Sequence, residues 1–119
     1  MDGLAMSAPD GASKTEIPPG TLYMLILKTL EAGPRHGYGI AQRIHQLSQD
    51  VLQVEEGSLY PALQRMLIKG WVVAEWRLSE NKRRARFYRL TPAGREQLGT
   101  ELSEFDRVMQ AIARVLQTA

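Results

Sequence analysis

The chain contains no cysteine, so disulfides and thiolate metal sites are excluded, and a reducing cytoplasm is the expected setting. It has two histidines, His36 and His45, nine positions apart with no carboxylate at a matching spacing, so no metal site is expected. The two Trp, four Tyr and two Phe are not interleaved with basic residues in the way a single-strand binder needs for stacking successive bases. No apolar run approaches the length of a membrane span, and the first residues lack the basic start and apolar core of a signal peptide. Also missing are a nucleophile, base and orienting group at a workable spacing, and a glycine loop to cradle a phosphate. Neither catalysis nor a cofactor is expected.

What remains is enough for one small folded domain. The 119 residues are 44% hydrophobic, and no Pro/Gly/Ser-rich stretch divides them after the first twenty. The net charge of +2 is unremarkable, but its distribution is uneven. Residues 71–91 hold six basic against two acidic side chains, a net of +4, while residues 1–19 and 92–119 are each net acidic. A local cationic excess of this kind is the electrostatic footprint of a phosphate-backbone binder; the plainer alternative is a solvated hairpin kept monomeric by its charge.

Residues 1–19 show no periodicity and read as a flexible arm. Residues 21–32 predict a first helix with Thr21 as N-cap, and with Leu22, Leu25, Ile26 and Leu30 on one face. Its apolar surface is broad enough to serve both the core and a partner helix, which makes Leu22 a candidate interface residue. Gly33-Pro34 stops it. A second helix is expected from about His36 to Ser48 with Ile40, Ile44 and Leu47 inward, Tyr38 packed across the helix junction, and Gly37 and Gly39 allowing another backbone to come close. His36, at the start of that helix, could meet a phosphate. Leu52 and Val54 suggest a very short strand pairing with a later hairpin.

A third helix is expected from Glu56 or Ser58 to Lys69, with Leu59, Leu63, Met66 and Leu67 facing the core. If Ser58 caps it, Pro61 falls at the third helical position, where its missing N–H costs little. The opposite surface carries Ser58, Tyr60, Pro61, Gln64 and Arg65, side chains able to reach phosphates and base edges in a major groove. Taken singly, each is also an ordinary polar helix position. Gly70 ends the helix. Residues 71–78 and 85–90 then read as two strands around a polar turn bearing Lys82, Arg83 and Arg84, with Arg86 just beyond. Alternation puts Arg86, Tyr88 and Leu90 on one face and Phe87 and Arg89 on the other, without deciding which is buried. Trp71 and Trp76 suit core or interface anchors better than base-stacking platforms. Thr91-Pro92 opens a last helix in which Leu98, Leu102, Phe105, Met109, Ile112 and Leu116 recur at alternating spacings of four and three. Such a seam either folds back on its own domain or pairs with a second copy. Pairing is favoured, because a small winged domain already has its core helices.

Together these features predict a mainly α fold with a small β wing: a winged helix-turn-helix over residues 20–91 and a C-terminal dimerisation helix over 92–119. Several ordered stretches also resemble the PadR family of bacterial transcriptional regulators. They are Gly33-Pro34-Arg35-His36-Gly37-Tyr38-Gly39-Ile40; Gly57-Ser58-Leu59-Tyr60-Pro61-Ala62-Leu63 with Gly70-Trp71-Val72; and Arg84-Ala85-Arg86-Phe87-Tyr88-Arg89-Leu90-Thr91-Pro92-Ala93-Gly94. The turn at 79–84 looks most like family members from Acidobacteria. The resemblance implies a homodimeric repressor of double-stranded DNA with a palindromic operator. Its third helix around Ser58, Tyr60, Pro61 and Gln64, and its wing from Lys82 to Arg86, would touch DNA. Some members release DNA on binding phenolic acids or hydrophobic drugs near the dimer interface. A hydrophobic or aromatic effector is therefore a candidate partner, with Trp71 and Trp76 as its candidate contacts. A single helix after the wing, as in the family's short subgroup, weakens that transfer. The competing function is a protein-interaction module whose basic hairpin docks on an acidic partner.

Overall fold

The structure, a computed structural model, describes residues 15–18 and 20–118. Most of the arm expected over residues 1–19 lies outside that range, but its end is ordered: Thr15–Glu16 forms a short strand, β1. In α1 (Leu22–Glu31), Met24, Ile26, Leu27 and Leu30 are buried, with Leu22, Tyr23 and Leu25 packed half-exposed beside them. Thr21 precedes the helix without capping it. Its hydroxyl donates instead to the Pro18 carbonyl at 2.8 Å, closing the turn before the helix.

The strand β2 (Arg35–His36) runs directly into α2 (Gly37–Leu47), whose first turn is capped by His36: Nδ1 accepts the Gly39 amide at 3.0 Å. Ile40 and Ile44 are buried as expected. Leu47, expected inward, is 60% exposed, because it is the last residue of the helix and lies beyond the packed part. Tyr38 is also outward, 65% exposed and stacked nearly parallel to the His36 ring. Gly37 is the buried residue of that turn, and a Cβ there would lie 2.8 Å from the Tyr60 ring. The close approach these glycines allow is therefore by a side-chain ring and not by another backbone.

Between α2 and α3 the chain makes a turn that the sequence does not announce. Gln49 (φ +55°) and Asp50 (φ +67°) are consecutive left-handed residues without being glycine, at a cost of about 1–2 kcal/mol each. The Asp50 amide donates to the His45 carbonyl at 2.8 Å, and the Leu52 amide donates to Ser48 Oγ at 2.9 Å. His45 Nδ1 lies 3.1 Å from the Leu52 carbonyl and completes the brace. The next strand, β3 (Leu52–Gln53), does not join the hairpin. It pairs in parallel with β1, while the edge of the hairpin at β5 is taken by β2.

The helix α3 (Glu56–Ile68) starts before Ser58, whose amide donates to the Glu55 carbonyl at 3.0 Å, so Ser58 is not its cap. Pro61 is consequently the sixth helical residue. It has no N–H to give the Gly57 carbonyl, a loss tolerable only because this flank is open to water. Leu59, Ala62, Leu63 and Met66 fill the core side. Gly70, at φ +78°, reverses the chain into β4 (Val72–Leu78), which pairs antiparallel with β5 (Arg84–Leu90); the sheet order is β2-β5-β4. Val72 and Ala74 face Leu90 and Tyr88 on the inner side. The face left undecided by alternation is thus settled: Tyr88 and Leu90 are buried, and Arg86, on the same side, emerges past the end of the core.

The last helix, α4 (Pro92–Gln117), begins at a tight junction. Thr91 Oγ1 accepts the Gly94 amide at 3.0 Å, and its hydrogen is shared between the Gly70 and Trp71 carbonyls at 2.7 and 2.9 Å. A Cβ on Gly94 would fall 2.1 Å from the Trp71 carbonyl oxygen, so only glycine permits this approach. Leu98 is 3% exposed within the chain's own core, which removes it from the face expected for a partner. From Leu102 onward, Ala111 excepted, the described helix is exposed on every side. Three helices with a hairpin wing and a long following helix make this a winged helix-turn-helix of mainly α class.

Candidate nucleic-acid interface

The helical repeat places Gly57, Pro61, Gln64 and Ile68 on the side of α3 most remote from the core, with Tyr60 on one flank and Ser58 and Arg65 on the other. These positions are all exposed. The structure joins only one flank to the wing. Tyr60 lines a groove of about 560 Å³ together with His36, Tyr38 and Gln42 of the β2–α2 segment and Arg83, Arg84 and Arg86 of the hairpin. Ser58 lies on the far side, beside Glu16, Ile17 and Leu22. Arg65 is turned toward α1, where its Nε donates to the Tyr23 hydroxyl and its guanidinium lies 5.7 Å from that ring's centre. Of the residues expected to touch DNA, Tyr60, Arg83, Arg84, Arg86 and His36 therefore gather in one place, while Ser58 and Arg65 stand apart. Pro61 and Gln64 occupy the exposed crest between them.

The hairpin tip is fixed by its own backbone. The Ser79 amide donates to the Arg83 carbonyl at 2.8 Å, and the Lys82 amide to the Ser79 carbonyl at 2.9 Å. Lys82 takes a left-handed conformation (φ +61°), which turns the chain back into β5. Behind the tip, arginines lie on aromatic rings: Arg84 on Trp76 at 5.1 Å, Arg86 on Tyr88 at 6.0 Å and, on the other face, Arg77 on Phe87 at 5.2 Å. Arg77 is also paired to Glu75 at 2.8 Å, so its charge is locally offset.

His36 uses Nδ1 to cap α2, which leaves Nε2 as the N–H donor of the neutral ring. Phe87 meets the ring edge-on, at 5.3 Å. The Tyr60 phenol is held above its ordinary pKa, first by burial and then by the negative charge of Glu56. Glu55 and Glu56 sit exposed at the start of α3, where they suit the helix dipole but oppose a phosphate.

Sequence reasoning missed Ile68, 77% exposed at the C-terminal end of the α3 crest, because an apolar side chain gives no signal of a polar interface. It also missed Gln42, whose place on the groove depends on the β2–β5 pairing. Of the two tryptophans, Trp71 meets Tyr23 edge-on at 5.6 Å and lies under the Lys69 ammonium at 5.3 Å, partly buried. Trp76, expected as a core or interface anchor, lies outside the core and is 59% exposed. Among the described residues no three His, Cys, Asp or Glu side chains converge to hold a metal ion, and no helix is long and apolar enough to cross a membrane.

The class defined by this fold and surface is a winged helix-turn-helix regulator. More particularly, the chain belongs to the transcriptional regulator PadR-like family, whose profile matches residues 26–100. It is 38% identical over 79 residues to a transcriptional regulator of Mycobacterium tuberculosis, covering 66% of each. It is 42% identical over 96 residues to an uncharacterised 37.1 kDa protein in a transposon of Streptomyces fradiae; the match takes in 81% of this chain but only 25% of that protein. Among solved structures it is similar to a transcriptional regulator from Clostridium thermocellum, with a TM-score of 0.74, 26% identity and 80% and 92% of the two chains covered. A PadR family regulator from Eggerthella lenta gives a TM-score of 0.71 at 27% identity, covering 84% and 85%.

Proposed function

We propose that this chain is a dimeric, sequence-specific repressor that binds double-stranded DNA, with α3 in the major groove and the wing on the backbone or in the adjacent minor groove. The observation that carries it is the shared groove: Tyr60 of α3 lines one surface with Arg83, Arg84 and Arg86 of the wing, whose residues 71–91 carry a net charge of +4. Gln64, Pro61 and Ile68 on the crest would meet base edges, with the glutamine amide suited to adenine and the isoleucine to a thymine methyl. Glu55 and Glu56 favour base amino groups over phosphates at the entry of the helix.

Residues 20–91 would form the reading unit and 92–119 the pairing helix. The apolar face of α4, Leu102, Phe105, Met109, Ile112 and Leu116, would join two copies, with Leu22 of α1 as a further contact, so that two α3 helices meet a palindromic operator. A hydrophobic or aromatic effector at that junction is a further part of the proposal, as is a cytoplasmic location.

Anisotropy titration of a labelled random-sequence duplex tests the function directly. Binding that weakens steeply with salt is expected. Reversing Lys82, Arg83 and Arg84 together to glutamate should nearly abolish binding of all sequences; unchanged affinity would rule out the wing. A wild-type chain that ignores duplex DNA even at low salt would refute the function and favour an acidic protein as partner.

A further inference from the structure

The inner side of the wing continues after the core ends. Past Ala74 and Tyr88, the same face carries Trp76 opposite Arg86 and Leu78 opposite Arg84. Trp76 is 59% and Leu78 68% exposed, and neither packs against the core. Two large apolar side chains thus stand in water on a short hairpin that is otherwise strongly cationic, with no folding role to account for them. They are not isolated from the charges. The Arg84 guanidinium lies on the Trp76 indole, diagonally across the strand pair, and Arg86 lies on Tyr88 one step further in. Among the described residues neither Arg84 nor Arg86 takes part in an ion pair, whereas Arg77 on the outer face does.

We propose that Trp76 is a positioning residue. It holds the Arg84 guanidinium extended toward a phosphate and, with Leu78, forms an apolar step that packs on the deoxyribose of the same DNA strand. A strand of duplex DNA presents anionic phosphates alternating with apolar sugar edges. A face on which unpaired guanidiniums alternate with an indole and an isobutyl group is complementary to it in both respects. A planar aromatic ligand, or a second copy of the chain, would satisfy the apolar step and leave the guanidiniums unpaired. Stacking also removes rotamer freedom from Arg84 before binding, so less is lost on contact. Among the described residues Lys82 and Arg83 lie on no aromatic ring and would act as long-range attraction; Arg84 would act at contact.

The test, resting on the duplex binding proposed above, is anisotropy of a short random-sequence duplex across a salt series. Trp76→Ala should weaken binding roughly five- to tenfold, as expected for loss of a stacked cation and an apolar contact. The slope of log affinity against log salt should not change, because no charge is removed. Arg84→Gln should instead reduce that slope by about one. Trp76→Phe should restore most of the loss. Combining Trp76→Ala with Arg84→Gln should cost less than the product of the two, since both act through one contact. Leu78→Ser, on an exposed strand end, gives a second variant with the fold intact and should weaken binding severalfold. In a Trp71→Phe background, the remaining indole should become shielded from acrylamide when duplex is added.

Wild-type affinity in Trp76→Ala, multiplicative effects in the double variant, or an indole equally quenched with and without DNA would each overturn the proposal. So would shielding that appears on raising the protein concentration alone, which would assign the step to a second copy. If the wild-type chain binds no duplex at all, duplex binding itself falls, an outcome visible before any variant is made.

Discussion

Replacing Leu102 and Phe105 together by glutamate is expected to separate the two copies of the proposed dimer while leaving the individual chain folded. In the lone chain these residues retain 42% and 39% of their exposure, and neither is among the side chains packed against the core. Full burial of a leucine or phenylalanine contributes about 1.5–3 kcal/mol, so covering the remaining two-fifths contributes about 0.6–1.2 kcal/mol for each. In an isologous interface every substitution counts twice, which brings the loss to about 2–5 kcal/mol. Four carboxylates facing one another across the seam add a desolvation and repulsion penalty of several kcal/mol if they ionise. The lower end of that range corresponds to a dimer weakened by roughly thirtyfold, and the midrange to roughly four hundredfold. Sedimentation equilibrium at micromolar concentration should therefore report the mass of one chain for the variant and of two for the wild type. The thermal transition of the diluted proteins should be similar. Operator affinity should drop along with the dimer, because two linked reading heads bind far more tightly than one. A variant that sediments as a dimer would place the pairing surface elsewhere and refute the role assigned to α4.

Three other substitutions probe separate parts of the molecule. Gln64→Ala should change base preference at one position, by about 1–3 kcal/mol, more than it lowers overall affinity; a uniform loss across sequences would mark Gln64 as a phosphate contact. Gly94→Ala, which sets a methyl 2.1 Å from the Trp71 carbonyl oxygen, should destabilise the fold by about 2–3 kcal/mol in urea titration, and an unchanged midpoint would show that the α4 junction is not tight. Gly37→Ala should instead leave stability nearly intact, since the atom met at 2.8 Å belongs to the half-exposed ring of Tyr60, which can swing away. With the ring driven into water, the raised phenol pKa should return toward that of free tyrosine, readable in the alkaline absorbance titration against Tyr60→Phe. A pKa unmoved by Gly37→Ala would mean that the ring does not depend on this packing.

Much of the architecture was legible because period and punctuation agreed. The buried Leu59, Leu63 and Met66 of α3, the strand pair closed by Gly70 and Thr91, and the long apolar repeat of α4 were all visible in residue order. What could not be read depended on contacts distant in sequence. Arg35–His36 becomes a strand only because Phe87 and Tyr88 are there to pair with it, and Leu52–Gln53 finds its partner in Thr15–Glu16, far off in sequence. Ser58 was a reasonable cap by type, yet Glu55 and Glu56 start α3 earlier without any side-chain cap. Leu98 belongs to the α4 seam by spacing and to the core by position, since the helix turns its first two turns toward the domain. For the candidate interface, residue type named the arginines. It could not tell that Arg65 would be held by Tyr23, or that Trp76 would lie outside with a guanidinium across it.

The short parallel pairing of Thr15–Glu16 with Leu52–Gln53 gives the two ends of the helix-turn-helix an unexpected handle. A two-residue parallel ladder has little strength of its own. Here it is anchored by Ile17 against the core and by the Thr15 amide, which donates to the Val51 carbonyl at 2.8 Å. Val51 immediately follows the strained Gln49–Asp50 turn that aims α3. The β1 segment therefore meets, through one backbone bond, the turn that leads into α3. Trimming the chain past Glu16 would remove that bond and leave the turn to its own hydrogen bonds, from the Asp50 amide to the His45 carbonyl and from the Leu52 amide to Ser48 Oγ, so β1 adds an outside tie to the segment that precedes α3.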